Sequence, residues 1–172
     1  MIFTLGNSSN QFLLLQSTNI WGNLETVVLM YVLFNLTTML TATFFGGLSD
    51  KIGRRKILMI GYFVYSIVYV AFGLIDVKHS WMLWLFWPIY GLYYAMTEGV
   101  EKAFVAETAP KNSKATALGF HSTIVGVMLL PASVLAGFMF QFNPKSPFIF
   151  GGIMAITAVI VIKFFVKETK IS

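Results

Sequence analysis

The chain has 172 residues, of which 57% are hydrophobic and only 11% are charged. Soluble domains carry about a quarter charged residues, so lipid has to be the solvent for much of this apolar surface. The net charge of +5 does not indicate nucleic-acid binding, because the basic residues lie between apolar runs, where the membrane surface accounts for them.

Apolar runs divide the chain into six segments. A spanning helix needs about 20 mostly apolar residues. Five runs reach that length, at roughly 24–46, 57–75, 81–105, 116–140 and 146–166, and a shorter run covers roughly 1–16. The sequence therefore predicts an all-α integral membrane protein with six transmembrane helices, the first of them truncated, and a single domain over residues 1–172.

The first run is interrupted by five consecutive polar side chains, from Asn7 to Gln11. Amide and hydroxyl groups are costly when they face lipid, but they suit a helix wall that lines a polar cavity. We therefore expect Asn7, Ser8 and Asn10 to line a substrate path.

A charged stretch joins the second and third runs. Asp50, Lys51 and the basic residues 54–56 fall within seven positions. Glycines at 46, 47 and 53 allow positive φ, so we expect the helix to end there and a tight turn to follow. Cations at the start of the next helix hold such a loop in the cytoplasm. Asp50 is best placed if it faces a helix N-terminus or an arginine.

The distribution of lysine and arginine predicts the orientation of the whole chain. With the charged stretch in the cytoplasm, that side also receives four lysines, which are Lys111, Lys114, Lys167 and Lys170. The opposite side keeps only Lys78 and Lys145. Both termini are therefore predicted to be cytoplasmic. The external edge is rich in tryptophan, as interfacial belts are, at Trp21, Trp81, Trp84 and Trp87.

The fourth run carries a small-residue stripe and an aromatic face. Residues 91, 95, 99 and 103 are Gly, Ala, Gly and Ala, a spacing that favours close packing against another helix. Trp87, Tyr90 and Tyr94 share one helical face. These aromatic side chains either line the substrate path or serve packing and the interfacial belt.

The same run ends with two acids and a lysine. Glu98 and Lys102 are four residues apart in the favourable acid-first order, and Glu101 lies close to the same face. One interpretation is a proton-coupling or gating acid, because ionisable groups within the membrane are commonly functional. The other is an ion pair that anchors the cytoplasmic end of the helix.

Signals for catalysis are weak. The chain contains no cysteine, which excludes disulfides and thiolate metal sites, and it has no GxxxxGK(S/T) phosphate loop. His121 and Ser122 are adjacent on a helix and point apart, which argues against a nucleophile–base pair. The sequence predicts neither an enzyme nor a bound cofactor or metal.

The charged stretch resembles the loop signature of the major facilitator superfamily (MFS), Gly-x-Leu-(Ala/Ser)-Asp-(Arg/Lys)-x-Gly-Arg-(Arg/Lys)-(Arg/Lys). Residues 46–56 fill every defined position, with Gly46, Leu48, Ser49, Asp50, Lys51, Gly53, Arg54, Arg55 and Lys56. Residues 5–15, 97–103 and 129–133 resemble helices 7, 10 and 11 of one bacterial branch, although that branch often has an acid where this chain has Asn10. The six runs thus look like helices 7–12 of a twelve-helix facilitator.

The resemblance implies a function and a partner. It implies two three-helix inverted repeats that form the C-terminal half of a secondary, ion-coupled transporter, which moves a small solute by alternating access. This chain would then be a fragment, a split gene product or one partner of an assembly with the N-terminal half on another chain, and a homodimer of halves is a further alternative. The protein would lie in the plasma (inner) membrane. In the family the loop signature acts as a conformational gate, and Glu107 is the expected partner of Arg54 or Arg55. The alternative from a different class is a membrane assembly or anchoring subunit without its own transport path.

Overall fold

The computed structural model describes residues 2–7 and 10–166, and every regular element within them is helical. Seven α-helices follow in order, α1 (Ile2–Gly6), α2 (Gln11–Trp21), α3 (Leu24–Ile52), α4 (Arg54–Leu74), α5 (Leu83–Thr108), α6 (Lys114–Phe142) and α7 (Ser146–Phe165). Short 3-10 turns cover Val77–Met82 and Lys111–Ser113. The prediction of an all-α protein is confirmed. Ser8 and the tail lysines 167 and 170 lie outside the described residues.

The first apolar run forms two helices, so the prediction of one helix over residues 1–16 is wrong. α1 ends at Gly6, and α2 runs from Gln11 to Trp21. Gly22 then ends α2 with a φ of 85°, a left-handed conformation that suits glycine. The Asn23 side chain caps α3 by accepting the Glu25 backbone N–H at 2.8 Å. The polar interruption therefore breaks the helix, and a glycine–asparagine pair sets the later boundary.

The charged stretch is mostly helical, which corrects the expectation that the helix ends at Gly46. α3 continues to Ile52, and Gly46 and Gly47 have ordinary helical backbones. Only Gly53, with a φ of 102°, leaves the helix, and its N–H still bonds to the Ser49 carbonyl at 3.0 Å. One glycine is thus enough to turn the chain from α3 into α4. The last four predicted spans differ from the observed helices by no more than three residues at either end.

Helix α5 is the central helix of the bundle. α3, α4, α7 and the stretch Lys111–Phe142 are long and apolar enough to cross a membrane. α5 has 26 residues, which gives roughly 39 Å at 1.5 Å per residue, and this also exceeds the hydrocarbon thickness. α5 can carry more polar side chains than a helix that faces lipid, because it packs against α3, α4 and α6. It buries Trp87, Tyr90, Tyr93 and Thr97. Protein rather than lipid surrounds those side chains.

The helix contacts follow the symmetry of two three-helix repeats. The first repeat comprises α1–α2, α3 and α4, and the second comprises α5, α6 and α7. In the two repeats α1–α2 corresponds to α5, α3 to α6, and α4 to α7. If each helix is replaced by its counterpart, the α3–α5 contact becomes the α6–α1 contact, and the α4–α5 contact becomes the α7–α1 contact. The α4–α7 contact maps onto itself. Inverted repeats are related in this way in secondary transporters.

The small-residue stripe of α5 makes a close helix contact over only half its length. At Gly91, α3 comes so near that Thr38 Oγ1 donates to the Gly91 carbonyl at 3.2 Å, and Ala95 is buried. At Gly99 a Cβ atom would meet nothing within 4 Å. The two helices therefore separate toward the C-terminal end of α5.

This difference predicts opposite effects of two matched substitutions. A Cβ at Gly91 would lie 2.7 Å from the Phe34 carbonyl oxygen, which is main chain and cannot move without separating α3 from α5. Gly91→Ala is therefore expected to destabilise the protein by about 1–3 kcal/mol. Gly99→Ala, in open space, is expected to leave stability unchanged or slightly raised. Thermal unfolding of purified protein in detergent measures both, and equal midpoints for the two variants would contradict the packing described here.

Candidate functional site: a polar groove and two arginines

A groove of about 740 Å³ runs between the interrupted first segment, α5 and α6. Its polar lining comprises Thr4, Asn7, Asn10, Gln11, Thr97, Glu98, Glu101, Lys102, His121 and Ser122. Aromatic side chains from Tyr31, Tyr93 and Tyr94 complete the wall. Polar groups at membrane depth are stable where they line a water-filled cavity, so the groove has the character of a solute path.

Most of the residues predicted for ion coupling or for the substrate path line this groove. Six of them line it, namely Asn7, Asn10, Tyr94, Glu98, Glu101 and Lys102. Tyr90 does not, because its side chain is fully buried behind the groove. Ser8 falls outside the described part of the chain. Sequence reasoning missed His121 and Thr97 as groove residues, although a histidine inside an apolar run was a usable signal.

Three tyrosine side chains hold the interruption between α1 and α2. The Tyr65 hydroxyl donates to the Gly6 carbonyl at 3.1 Å, and the Tyr90 hydroxyl donates to Asn10 Oδ1 at 2.8 Å. Asn7 Nδ2 donates to the Tyr93 hydroxyl oxygen at 3.4 Å. A broken helix frees backbone groups that lipid cannot satisfy. The Tyr65 hydroxyl supplies a partner to one such backbone group, and the other two bonds hold the Asn7 and Asn10 side chains.

An aromatic core fixes the positions of those tyrosines. Tyr65 stacks on Tyr69 with ring centroids 4.6 Å apart, and the Tyr90 and Tyr93 rings are 5.2 Å apart. Each ring is therefore held by its neighbours, and each hydroxyl points at a defined place.

Trp87 belongs to this core, so its assignment to the external belt is wrong. It is fully buried and packs edge-on against Phe72 at 5.5 Å and Tyr31 at 5.7 Å. Its helix is central, which puts this face of α5 against α3 and α4. Trp81 is 62% exposed, as a belt residue should be. Of the three aromatic residues on that face of α5, Trp87 and Tyr90 pack and Tyr94 lines the groove.

The acidic cluster of α5 divides into two parts. Glu98 Oε1 and Lys102 Nζ form an ion pair at 3.1 Å, with both side chains about half exposed. Such a pair contributes only ~0–1 kcal/mol and fits the anchoring interpretation. Glu101 instead accepts a hydrogen bond at 2.6 Å from the Tyr62 hydroxyl of α4. It is the carboxylate left as a candidate for coupling.

Arg54, the first residue of α4, links α3 to α5. Its guanidinium lies 2.9 Å from Asp50 Oδ1 and 3.3 Å from Glu107 Oε2, and it donates to the Ala103 carbonyl at 2.6 Å. The expected contact between Glu107 and a signature arginine is therefore present, and Asp50 does face an arginine. Carbonyls near a helix C-terminus carry partial negative charge, which a guanidinium complements.

Arg55 extends to the other side and holds α7. Its Nε donates to the Ile162 carbonyl at 3.2 Å, and Nη2 donates to the Lys163 carbonyl. Sequence reasoning missed this contact, although two adjacent arginines at a helix start must diverge, and the final carbonyls of a helix need donors. The other signature cations, Lys51 and Lys56, are exposed. Gly53 thus places two arginines that tie the C-terminal parts of α5 and α7 to α4.

Because Arg54 contacts α5 and Arg55 contacts α7, replacing each arginine should accelerate amide hydrogen exchange in a different helix. Arg54→Gln is expected to accelerate amide exchange at residues 103–108 and to leave exchange at residues 162–166 unchanged. Arg55→Gln is expected to accelerate exchange at residues 162–166 and to leave residues 103–108 unchanged. A hydrogen bond from a charged group is worth about 1.5–3 kcal/mol, so a local acceleration of about tenfold or more is expected.

Exchange followed by mass spectrometry in detergent or nanodiscs measures this effect, with Lys51→Gln as the control. Lys51 is an exposed cation of the same charged stretch, in the last turn of α3, and its loss should leave the ends of α5 and α7 unchanged. Acceleration at the same helix end in both arginine variants would contradict the assignment.

Comparison with known proteins places the chain in a family of membrane transporters. The family model described as Major Facilitator Superfamily matches residues 1–172. An uncharacterised MFS-type transporter of Methanocaldococcus jannaschii is 37% identical over 169 residues, which cover 95% of this chain and 42% of that protein. The family indicates a transporter rather than an enzyme, and a multi-pass membrane protein.

Two further relatives carry names that refer to drug resistance. The tetracycline resistance protein, class B, of Escherichia coli is 26% identical over 82% of this chain and 34% of its own length. The quinolone resistance protein NorA of Staphylococcus aureus is 28% identical over 83% of this chain and 36% of its own length. The chain spans less than half the length of these relatives. With a family model matched along its entire length, this chain belongs to the Major Facilitator Superfamily.

Proposed function

We propose that this chain is the C-terminal half of a secondary transporter, which moves a small solute by alternating access and draws on an ion gradient. The interrupted first segment supports the proposal most strongly. α1 and α2 stop and restart beside the groove, and transporters bind solutes at helices broken in this way. Asn7, Asn10 and Tyr94 are the proposed solute contacts, together with Ser8 of the same segment.

A partner half is proposed to close the open side of the groove. α3 and α6 expose many large apolar side chains, among them Met39, Leu40, Phe44, Leu130 and Phe138. Lipid covers part of such a surface, and the relatives are more than twice as long as the segment that matches them. The N-terminal half is supplied by another chain or by further sequence of the same protein.

The charged stretch is proposed to gate the cytoplasmic side. A cleft of about 320 Å³ between α3 and α5 is lined by Gly46, Asp50, Arg54 and Glu98. Asp50 and Glu107 hold Arg54 from two helices, so breaking either contact loosens the α3–α5 link. A small change there is enough to shift a balance between two states of similar energy.

The transporter is proposed to lie in the plasma (inner) membrane with both ends of this chain in the cytoplasm. The basic residues of the charged stretch support this orientation. The half-exposed Trp81 and Trp84 at the opposite end of the bundle match an outer interfacial belt.

The alternating-access proposal is tested by labelling one groove position from both sides of the membrane. The chain has no cysteine, so Ser122→Cys adds a single reactive thiol to it at a small, exposed groove residue. In the assembled transporter, an impermeant thiol reagent should label it in right-side-out and in inside-out vesicles. Phe63→Cys, on an exposed apolar face of α4, should stay unlabelled from either side.

Labelling of Ser122→Cys from one side alone, or from neither, would contradict alternating access and favour the anchoring subunit without a transport path. Transport itself is measured with tetracycline and a quinolone as the first probe solutes, since two relatives are named for resistance to these drugs.

Neutralising Asp50 is expected to favour opening on the cytoplasmic side. In Asp50→Asn, labelling of Ser122→Cys should rise from the cytoplasmic side relative to the outside by about fivefold, since an exposed ion pair is worth up to ~1 kcal/mol. Membrane insertion should be unchanged. Asp76→Asn is the matched control, because Asp76 is an exposed acid near the opposite end of α4 that pairs with Lys145 at 3.5 Å. An unchanged labelling ratio in Asp50→Asn would remove the gate role.

A further inference from the structure

Glu101 lies where two cavities of the bundle meet. It lines the large groove, and it also lines a second cavity of about 170 Å³ on the cytoplasmic side. Five residues line both spaces, namely Phe3, Thr4, Glu101, His121 and Val125. Among these five, Glu101 and His121 are the residues with titratable side chains.

The two cavities extend in opposite directions from that junction. The groove continues along α2 and α3 to Gln11, Leu14 and Tyr31. The smaller cavity continues to Arg55 at the start of α4 and to Val166 after α7, which is the cytoplasmic end of the bundle in the proposed orientation. A proton held at the junction therefore has a route to either side.

The groups around Glu101 leave it able to hold a proton. Tyr62 of α4 donates to Oε1 and is itself stacked on Phe3 of α1 at 4.1 Å, so this contact is well ordered. Lys102 and Glu98 of the same helix pair with each other.

The side-chain cations nearest the junction have partners of their own. Arg54 is bound by Asp50 and Glu107, and Arg55 is bound by carbonyls of α7. His121 faces the junction from α6, whereas α1 and α7 contribute the uncharged Thr4 and Ile162. These arginines are therefore held by groups other than Glu101.

We propose that Glu101 carries the coupling proton of this transporter and that His121 passes it between the two cavities. The inference rests on the proposed function and names its ion. Hydronium on one side gives a proton to Glu101 Oε2, the oxygen that Tyr62 leaves free, and becomes water. After the conformational change, Oε2 releases the proton through cavity water and a ring nitrogen of His121 to the other side. Only O–H and N–H bonds form and break, and one proton crosses per cycle.

The test measures how pH shifts the conformational balance. The ratio of outside to cytoplasmic labelling of Ser122→Cys reports that balance, and the pH dependence of the thiol itself cancels in the ratio. With an otherwise native chain the ratio should change by up to about tenfold per pH unit, the limit for one linked proton. Glu101→Gln should be labelled from both sides at a ratio independent of pH. His121→Gln should keep the pH dependence but reach its new ratio more slowly after a pH jump.

The control is Glu25→Gln, an exposed acid in the first turn of α3, far along the chain from the junction. It should leave the pH dependence unchanged. If Glu101→Gln keeps the native pH dependence, or Glu25→Gln removes it equally, the proton assignment is overturned while alternating access stands. If no variant is labelled from both sides, the proposed function itself fails.

A second variant covers the case in which Glu101→Gln does not fold. Tyr62→Phe keeps the carboxyl group and removes its hydroxyl donor, so the pH midpoint of the labelling ratio should shift. An unshifted midpoint in that variant would overturn the proposal.

Discussion

Hydrogen bonds from buried tyrosines to an interrupted helix are the interaction on which the groove depends. Lipid offers no partner to the backbone and amide groups that a break exposes, so the break between α1 and α2 is stable where protein surrounds its two ends. Tyr65 and Tyr90 donate to it, and Tyr93 accepts from it. Those three rings belong to one aromatic core around α5, so the shape of the groove follows from the packing of the central helix.

The end of the bundle that carries the charged stretch is organised by a different interaction, which involves charge. Gly53 alone separates α3 from α4, and this places Arg54 beside the Ala103 carbonyl of α5 and Arg55 beside the last carbonyls of α7. The groove and this end meet at Glu101, which α4 holds through Tyr62. A change of charge near the junction therefore acts on the same helices that the arginines bind.

Features set by neighbours in sequence were predictable, and contacts between distant segments were not. The apolar runs predicted the long helices, and the four-residue spacing predicted the pairing of Glu98 with Lys102. Family resemblance led to the contact of Arg54 with Glu107. The bond from Tyr62 to Glu101 joins residues 39 positions apart, and that from Arg55 to Ile162 joins residues 107 positions apart. No local pattern encodes such contacts, and the burial of Trp87 likewise depends on which helix is central.

The most direct test of the central claim is to scan nitroxide spin labels along residues 3–20 of the assembled transporter in lipid. Relaxation by a water-soluble nickel complex and by oxygen reports whether each position faces water or lipid. The account predicts that the helical periodicity of accessibility is lost between residues 7 and 10, and that label at residue 10 or 11 is open to the nickel complex. It also predicts that label at the buried Leu13 and Ile20 is shielded from both reagents. A single uninterrupted helical period from residue 3 to residue 20, with no water-accessible position, would contradict it.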